Sequence, residues 1–325
     1  MKLLIISGRH GGTRGGNLER LRAVVPDVEF IVAKSKEEAI EKITDVDAVY
    51  AGPWLERDIL LAASEKLRWV QISSAGVDAT LYPEMVESDV ILTNASGAYD
   101  IPIAEHVFSM ILCFSRGLNT FIRRQLAGVW RVEGVWRRTF LMQLAGQTIL
   151  IIGLGSIGLA VAQRAHGFEM RILAIDPMAV EKPDYVERVE KPDKLHELLS
   201  EADFITICCP LTKTTFKMIG EAEFQKMKPS AHIINIARGK IIDEAALIRA
   251  LQEKRIAGAG LDVFEQEPLP PDSPLWQMPN VIITPHSAGA SPPTGERTFQ
   301  IFCENLGRFV AGEPLINVVD KGAGF

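Results

Sequence analysis

The sequence predicts an α/β protein built from two doubly wound parallel-sheet units, and three observations carry that prediction. Short apolar runs of strand length alternate with stretches of helical spacing along nearly the whole chain. The runs are apolar on both faces, as strands covered by helices on either side must be. With 325 residues, the chain is long enough for roughly two domains.

In the first hundred residues, LLIIS (3–7), VEFIVA (28–33), VDAVYA (46–51), LRWVQI (67–72) and VILTN (90–94) read as short buried strands. Between them KSKEEAIEKI (34–43) and ERDILLAASEK (56–66) read as helices with charged outer faces. A long helix is expected after Pro102, through AEHVFSMILCFSRGLNTFIRRQ (104–125), because proline suits a first turn. Its apolar face, with Val107, Met110, Ile111, Phe114 and Phe121, is wider than one sheet face usually buries. Core packing and a subunit interface are both open readings of it.

The second series is TILIIG (148–153), RILAID (171–176), FITICC (204–209), HIINIA (232–237), AGAGLDV (257–263) and VIITP (281–285). Helical segments near 157–167, 192–200, 221–227 and 243–253 separate these strands. One more helix, about 293–311, follows; too small for a domain, it is expected to pack back on the N-terminal unit.

Composition narrows the function classes. A net charge of -6 leaves no basic excess to neutralise phosphates, so no nucleic-acid partner is expected. The basic pairs Arg123-Arg124 and Arg137-Arg138 read as solvated faces. No stretch approaches the roughly 18 apolar residues of a membrane span, and MKLLIISG is too short for a signal peptide. Cys113, Cys208, Cys209 and Cys303 form no C-x-x-C pair and read as reduced thiols of a cytoplasmic protein. Clustered metal ligands are absent from the sequence.

Gly153-Leu154-Gly155-Ser156-Ile157-Gly158 lies between the strand TILII and a helix continuing through AVAQRAHG. In that position the G-x-G-x-x-G string is a strong dinucleotide signal. Gly153 permits the tight turn, Gly155 lets a pyrophosphate approach the backbone, and Gly158 allows close helix–strand packing. The helix N-terminus then faces the phosphates with free N–H groups. Asp176 ends the next strand, where a carboxylate accepts from a ribose 2′-OH and repels a 2′-phosphate. Pro177-Met178 supplies no arginine, so NAD is expected as the cofactor and NADP is disfavoured. The earlier glycine-rich stretch 8–16 lacks the G-K-[ST] ending of a phosphate loop and reads as a turn.

Arg238, Glu267 and His286 each sit just past an apolar run of the second series. In open α/β sheets, ligands bind beyond the carboxyl ends of the strands, so all three are aimed at one crevice. Arg238 offers a planar fork for a carboxylate. His286 offers a group that exchanges protons near neutrality, and Glu267 can hold its charged form by a hydrogen bond. His196, His166, His232, His106 and His10 have contexts less suited to that task. Glu265 is expected to point elsewhere; Asp262 reads either as a contact for a nicotinamide carboxamide or as a turn-capping acid.

Together GLGSIG with Asp176, NIARGKIIDEAAL, GLDVFEQEP and TPHSAG closely resemble the D-isomer-specific 2-hydroxyacid dehydrogenases, and their glyoxylate/hydroxypyruvate reductases in particular. The stretch S-S-A-G-V-D at 73–78, Asn94 and AEH at 104–106 extend the likeness over essentially the whole chain. The resemblance implies Arg238 as carboxylate binder, His286 as acid/base and Glu267 as its partner. It implies that backbone N–H groups around Ser74, Ala75 and Gly76 grip the same carboxylate, and that Asp262 contacts the nicotinamide. Cofactor contacts are further expected from Ser156, Ile157, Cys209, Pro210, Ala237 and His286.

The implied architecture is a flavodoxin-like substrate domain of 1–98 with 290–325, and a Rossmann NAD-binding domain of 99–289 inserted in it. The long helix after Pro102 would join a homodimer interface, with Trp130 or Trp136 as candidates to reach a neighbouring active site. Formate is disfavoured, because formate dehydrogenases of this superfamily carry glutamine where Glu267 stands. No regulatory domain is expected after the final helix, and the 73–78 loop lacks a basic residue for a substrate phosphate. The implied reaction is hydride transfer between NAD(H) and a small 2-oxoacid or D-2-hydroxyacid in the cytoplasm. The alternative is an NAD-sensing, corepressor-like binding protein on the same fold. Tyr99, Trp54 and Leu55 are hydrophobic candidates to line a substrate pocket.

Overall fold

Two sheets, both wholly parallel, organise the chain. The computed structural model describes residues 1–6, 17–130, 141–178 and 181–325. The glycine-rich stretch with His10, Arg137-Arg138 and Trp136 lie outside the described residues. The chain divides into two compact units, Met1–Tyr99 with Ala290–Phe325, and Asp100–Gly289.

In the first unit β1 (Lys2–Ile6), β2 (Glu29–Ala33), β3 (Ala48–Tyr50), β4 (Trp69–Gln71) and β5 (Ile91–Thr93) pair in the order β2-β1-β3-β4-β5. Because side chains alternate along a strand, Leu4 faces one layer while Leu3 and Ile5 face the other. Leu4, Val49, Val70 and Leu92 pack on Ala39 of α2 (Lys36–Lys42), Ile59 and Leu60 of α3 (Arg57–Leu61) and Met85 of α4 (Pro83–Glu87). Leu3, Ile5, Ala48 and Trp69 pack on Leu21 of α1 (Asn17–Val24) and on Phe299, Phe302 and Leu306 of α11 (Pro292–Ala311). The final helix thus completes the N-terminal core, where Phe302 stacks on Tyr50 at 3.9 Å. Helices α1 and α4 are additions to the elements that periodicity predicts; both are short. Leu55 belongs to this core at 1% exposure, which removes it from the pocket candidates.

The second unit contains β6 (Thr148–Ile152), β7 (Arg171–Ile175), β8 (Arg188–Glu190), β9 (Phe204–Ile207), β10 (His232–Asn235), β11 (Gly258–Leu261) and β12 (Val281–Ile283). Their order is β12-β11-β10-β9-β6-β7-β8. Strand β8 escapes a search for apolar runs because its three residues, Arg-Val-Glu, lie half-buried at a sheet edge. The register aligns Ile152, Ile207, Asn235, Leu261 and Ile283, so the segments after these strands leave from one edge.

The expected long helix is two helices, α5 (Asp100–Ser115) and α6 (Leu118–Leu126), bent by 71° at their break. Gly117 adopts the left-handed φ of 66° that a turn out of a helix requires. The two parts also differ in burial. Val107, Met110, Ile111 and Phe114 are buried core, whereas α6 buries no residue and leaves Leu118, Ile122 and Leu126 exposed. Among the described residues no single helix is long and apolar enough to cross a membrane, although this bent pair passes by length and composition together.

Candidate active site

The turn after β6 has three glycines with different physical causes. Gly153 has a φ of 94°, and a Cβ there would lie 2.7 Å from the backbone N of Cys209. A Cβ on Gly158 would lie 2.1 Å from the Gly153 carbonyl oxygen, so packing of α7 (Ser156–Gly167) on β6 excludes any side chain. Gly155 is different: its φ of -73° suits any residue, and a Cβ would meet nothing within 4 Å. No atom of the described residues demands glycine at this exposed position. A phosphate group lying against the backbone does, so the turn fits a dinucleotide.

Asp176 lies beside this turn, 8% exposed, and accepts from the Leu154 N–H at 2.9 Å and the Met178 N–H at 2.8 Å. Its carboxylate braces the glycine turn while each oxygen keeps a further lone pair. Ser156 donates to Asp100 Oδ1 at 3.1 Å, and Ile157 is half-buried. Cys209 follows β9, where burial pushes its thiol up to about 12 and keeps it neutral. Pro210 is exposed and Ala237 half-buried on the neighbouring strand ends.

Backbone contacts link the segments that carry Arg238, Glu267 and His286. Asn235 at the end of β10 ties the next turn by donating to the Arg238 carbonyl at 2.9 Å and accepting from the Ala237 N–H at 3.1 Å. The Arg238 guanidinium donates to the Ala237 carbonyl at 2.8 Å. Gly239 then passes so close to Phe264 that a Cβ would lie 1.8 Å from the Phe264 carbonyl carbon. The Phe264 N–H donates to Glu267 Oε1 at 2.9 Å, and Glu267 Oε2 meets His286 Nδ1 at 2.6 Å. A carboxylate at Nδ1 holds the ring and leaves Nε2 to face a reactant. His286 has a φ of 50°, a left-handed conformation uncommon for a residue with a side chain. Its N–H donates to the Asp262 carbonyl at 2.8 Å.

Glu265 points away, accepting from the Glu244 N–H at 3.1 Å at the start of α10 (Glu244–Gln252), while Glu244 accepts from the Glu265 N–H at 3.1 Å. Asp262 is 1% exposed, and its carboxylate accepts from Thr284 Oγ1 at 2.5 Å, the Ser287 N–H at 2.9 Å and the Ala288 N–H at 2.9 Å. These three partners give Asp262 a turn-bracing role, and its Oδ2, with one of them, keeps a further lone pair. The remaining described histidines are engaged elsewhere. His196 pairs with Glu223, His166 stacks on Tyr185, and His232 lies against Phe114 and Phe204, where burial lowers it to about 4. His106 reaches Thr284, a contact that nothing in its sequence context announces.

In the other unit, the segment after β4 has an asymmetric hydrogen-bond pattern. The carbonyls of Ser74, Ala75 and Gly76 accept, respectively, from the Ala95 N–H at 2.8 Å, Asn94 Nδ2 at 2.8 Å and the Ser74 hydroxyl at 2.7 Å. The three N–H groups of the same residues have no acceptor among the described residues. Successive free donors with their carbonyls turned away suit an anion such as a carboxylate. Tyr99 holds the start of this loop by donating to the Ser73 carbonyl at 2.5 Å, and Trp54 is 47% exposed in the preceding strand's loop.

Comparisons with known proteins point to one family. Residues 108–288 match the sequence model of the D-isomer specific 2-hydroxyacid dehydrogenase NAD binding domain. A glyoxylate reductase of Korarchaeum cryptofilum is 38% identical over 292 residues, covering 88% of this chain and 86% of that protein. A D-3-phosphoglycerate dehydrogenase of Methanocaldococcus jannaschii is 37% identical over 91% of this chain, which spans 56% of that protein. Among solved structures, a D-isomer specific 2-hydroxyacid dehydrogenase family protein from Aeromonas salmonicida superposes with a TM-score of 0.85 at 32% identity, covering 98% and 99% of the two chains. An NADPH-dependent glyoxylate/hydroxypyruvate reductase from Sinorhizobium meliloti, in complex with NADP and sulfate, gives 0.84 at 26% identity over 100% of both. The chain belongs to the D-isomer specific 2-hydroxyacid dehydrogenase family. It is an oxidoreductase with an NAD(P)-binding domain of the Rossmann type.

Proposed function

We propose that the protein reduces a small 2-oxoacid, such as glyoxylate, hydroxypyruvate or a short-chain ketoacid, to its D-2-hydroxyacid. The observation that carries this reading is the Glu267–His286 pair at 2.6 Å, on the strand edge from which the glycine turn also leaves. A bound nicotinamide would supply the hydride which, with one proton from the protein, turns the substrate carbonyl into a hydroxyl. Arg238 holds the carboxylate and polarises the carbonyl. His286 Nε2 is the group that gives a proton to the carbonyl oxygen, and Glu267 at Nδ1 holds the ring oriented.

Asp176 supports NADH over NADPH, since its carboxylate would repel a 2′-phosphate. A cytoplasmic homodimer fits the free cysteines and the exposed row Leu118, Ile122 and Leu126 on α6, which extends toward the 98% exposed Trp130. Sedimentation should return twice the 35.8 kDa chain mass; a monomer would exclude the dimer. With a net charge of -6, nucleic acid is not a partner in this reading.

Cofactor oxidation followed with a panel of 2-oxoacids, in NADH and NADPH separately, tests the function. Steady turnover with greater kcat/KM for NADH is expected. Tight cofactor binding without turnover on any oxoacid would point instead to a sensing protein.

A separate prediction concerns this pair. Glu267→Gln removes the carboxylate 2.6 Å from His286 Nδ1, and with it a charge-assisted hydrogen bond that orients the ring. kcat for reduction should fall by about tenfold, with NADH affinity within a few-fold of wild type. An unchanged kcat would remove Glu267 from this role.

A further inference from the structure

We propose that His106 is a positioning residue for His286, acting through Thr284 and Asp262; this rests on the reading of His286 as proton donor. His106 lies on α5, outside the strand-end segments that carry the trio, yet its Nε2 is 3.0 Å from Thr284 Oγ1. The direction of that hydrogen bond is fixed by proton count. The Thr284 hydroxyl has one proton, and it is donated to Asp262 Oδ1 at 2.5 Å. Thr284 Oγ1 is therefore the acceptor from His106, and His106 carries its proton on Nε2.

The Asp262 carboxylate is 1% exposed, so its charge is supported by internal donors. Besides Thr284 these are the Ser287 and Ala288 N–H groups, each at 2.9 Å. His286 lies between the anchored residues Thr284 and Ser287, held at a φ of 50°. A left-handed histidine relaxes to an ordinary conformation unless its neighbours are fixed, and such relaxation would swing the ring from Glu267. Polarising the Thr284 hydroxyl strengthens its bond to Asp262, so His106 stiffens the segment that aims His286.

The test compares wild type, His106→Ala, His106→Gln, Thr284→Val and the His106→Ala/Thr284→Val double variant. Two quantities are read: amide hydrogen exchange of Ser287 and Ala288, and the kcat–KM split. For His106→Ala, exchange should quicken about tenfold and kcat fall about tenfold, with KM within about threefold. The glutamine Nε2 can donate to Thr284, so His106→Gln should recover both to within about threefold of wild type. Thr284→Val should reproduce the alanine effect, and the double variant should be no worse than either single. Unchanged exchange and kcat in His106→Ala would overturn the proposal. So would a His106→Gln as impaired as alanine, or additive losses in the double variant. If His106→Ala fails to fold, His106→Gln and Thr284→Val decide between donor and filler. Exchange needs no substrate, so a wild type inactive on every oxoacid would sink the functional reading and leave the brace still measurable.

Discussion

Replacing His286 with asparagine should lower kcat for 2-oxoacid reduction by about 10²–10⁴-fold, the range typical of lost general acid catalysis. Asparagine is the informative substitution because of the backbone. His286 has a φ of 50°, and asparagine is one of the few residues that visit that region readily. The 284–288 segment, with its N–H bonds to Asp262, should keep its course. Glutamine would remove the imidazole as well, but with less tolerance for the left-handed conformation, and should cost about 1 kcal/mol more in stability. The glycine turn at 153–158 is on a different strand end, so NADH affinity measured by fluorescence titration should stay within a few-fold of wild type. Turnover within tenfold of wild type in His286→Asn, with the melting temperature retained, would show that another group delivers the proton.

The parts of this site legible in the sequence are those set by strand ends. A wholly parallel sheet makes each buried strand a continuous apolar run, and the residue that ends the run faces the ligand edge. Asp176, Arg238 and His286 could be found that way, with Glu267 a short loop beyond β11. The turn glycines were legible because a dinucleotide needs them at fixed spacing between strand and helix. What was hidden depends on direction or distance. The apolar period runs unbroken through Arg116, Gly117 and Leu118, so nothing in it separates buried α5 from exposed α6. The free N–H groups at 74–76 depend on which way each peptide plane turns, and those residues have no side chain that advertises it. His106 and Thr284 are 178 residues apart, and helical spacing cannot announce such a contact. Asp262 could be placed at a strand end, but the donors that tie it to its own loop had to be seen.

Gly239 was legible only as the second half of an Arg-Gly turn, and its larger role lies in packing. A Cβ at this position would lie 1.8 Å from the carbonyl carbon of Phe264, 2.0 Å from its oxygen and 2.4 Å from its Cα. All three are backbone atoms, so no rotamer change relieves the clash. Gly239→Ala must drive the two segments apart by roughly 1.5 Å to restore ordinary carbon contacts. One segment carries Arg238; the other carries Glu267 and, through it, the orientation of His286. Overpacking of this kind costs about 1–3 kcal/mol, and a domain of this size loses about 2–4 °C of melting temperature per kcal/mol. The catalytic loss should be larger than the stability loss implies, because a displacement of about 1 Å between reacting groups can cost 10²-fold. The expected result is a folded protein that binds NADH normally and melts several degrees lower. Its kcat/KM for the oxoacid should fall by about 10²-fold or more. Glycine at 239 would then set the spacing between Arg238, proposed to bind the carboxylate, and His286, proposed to donate the proton. A Gly239→Ala variant with near-normal kcat/KM would mean that the 238–239 turn and the 264–267 segment move independently, and that Arg238 does not share a substrate with His286.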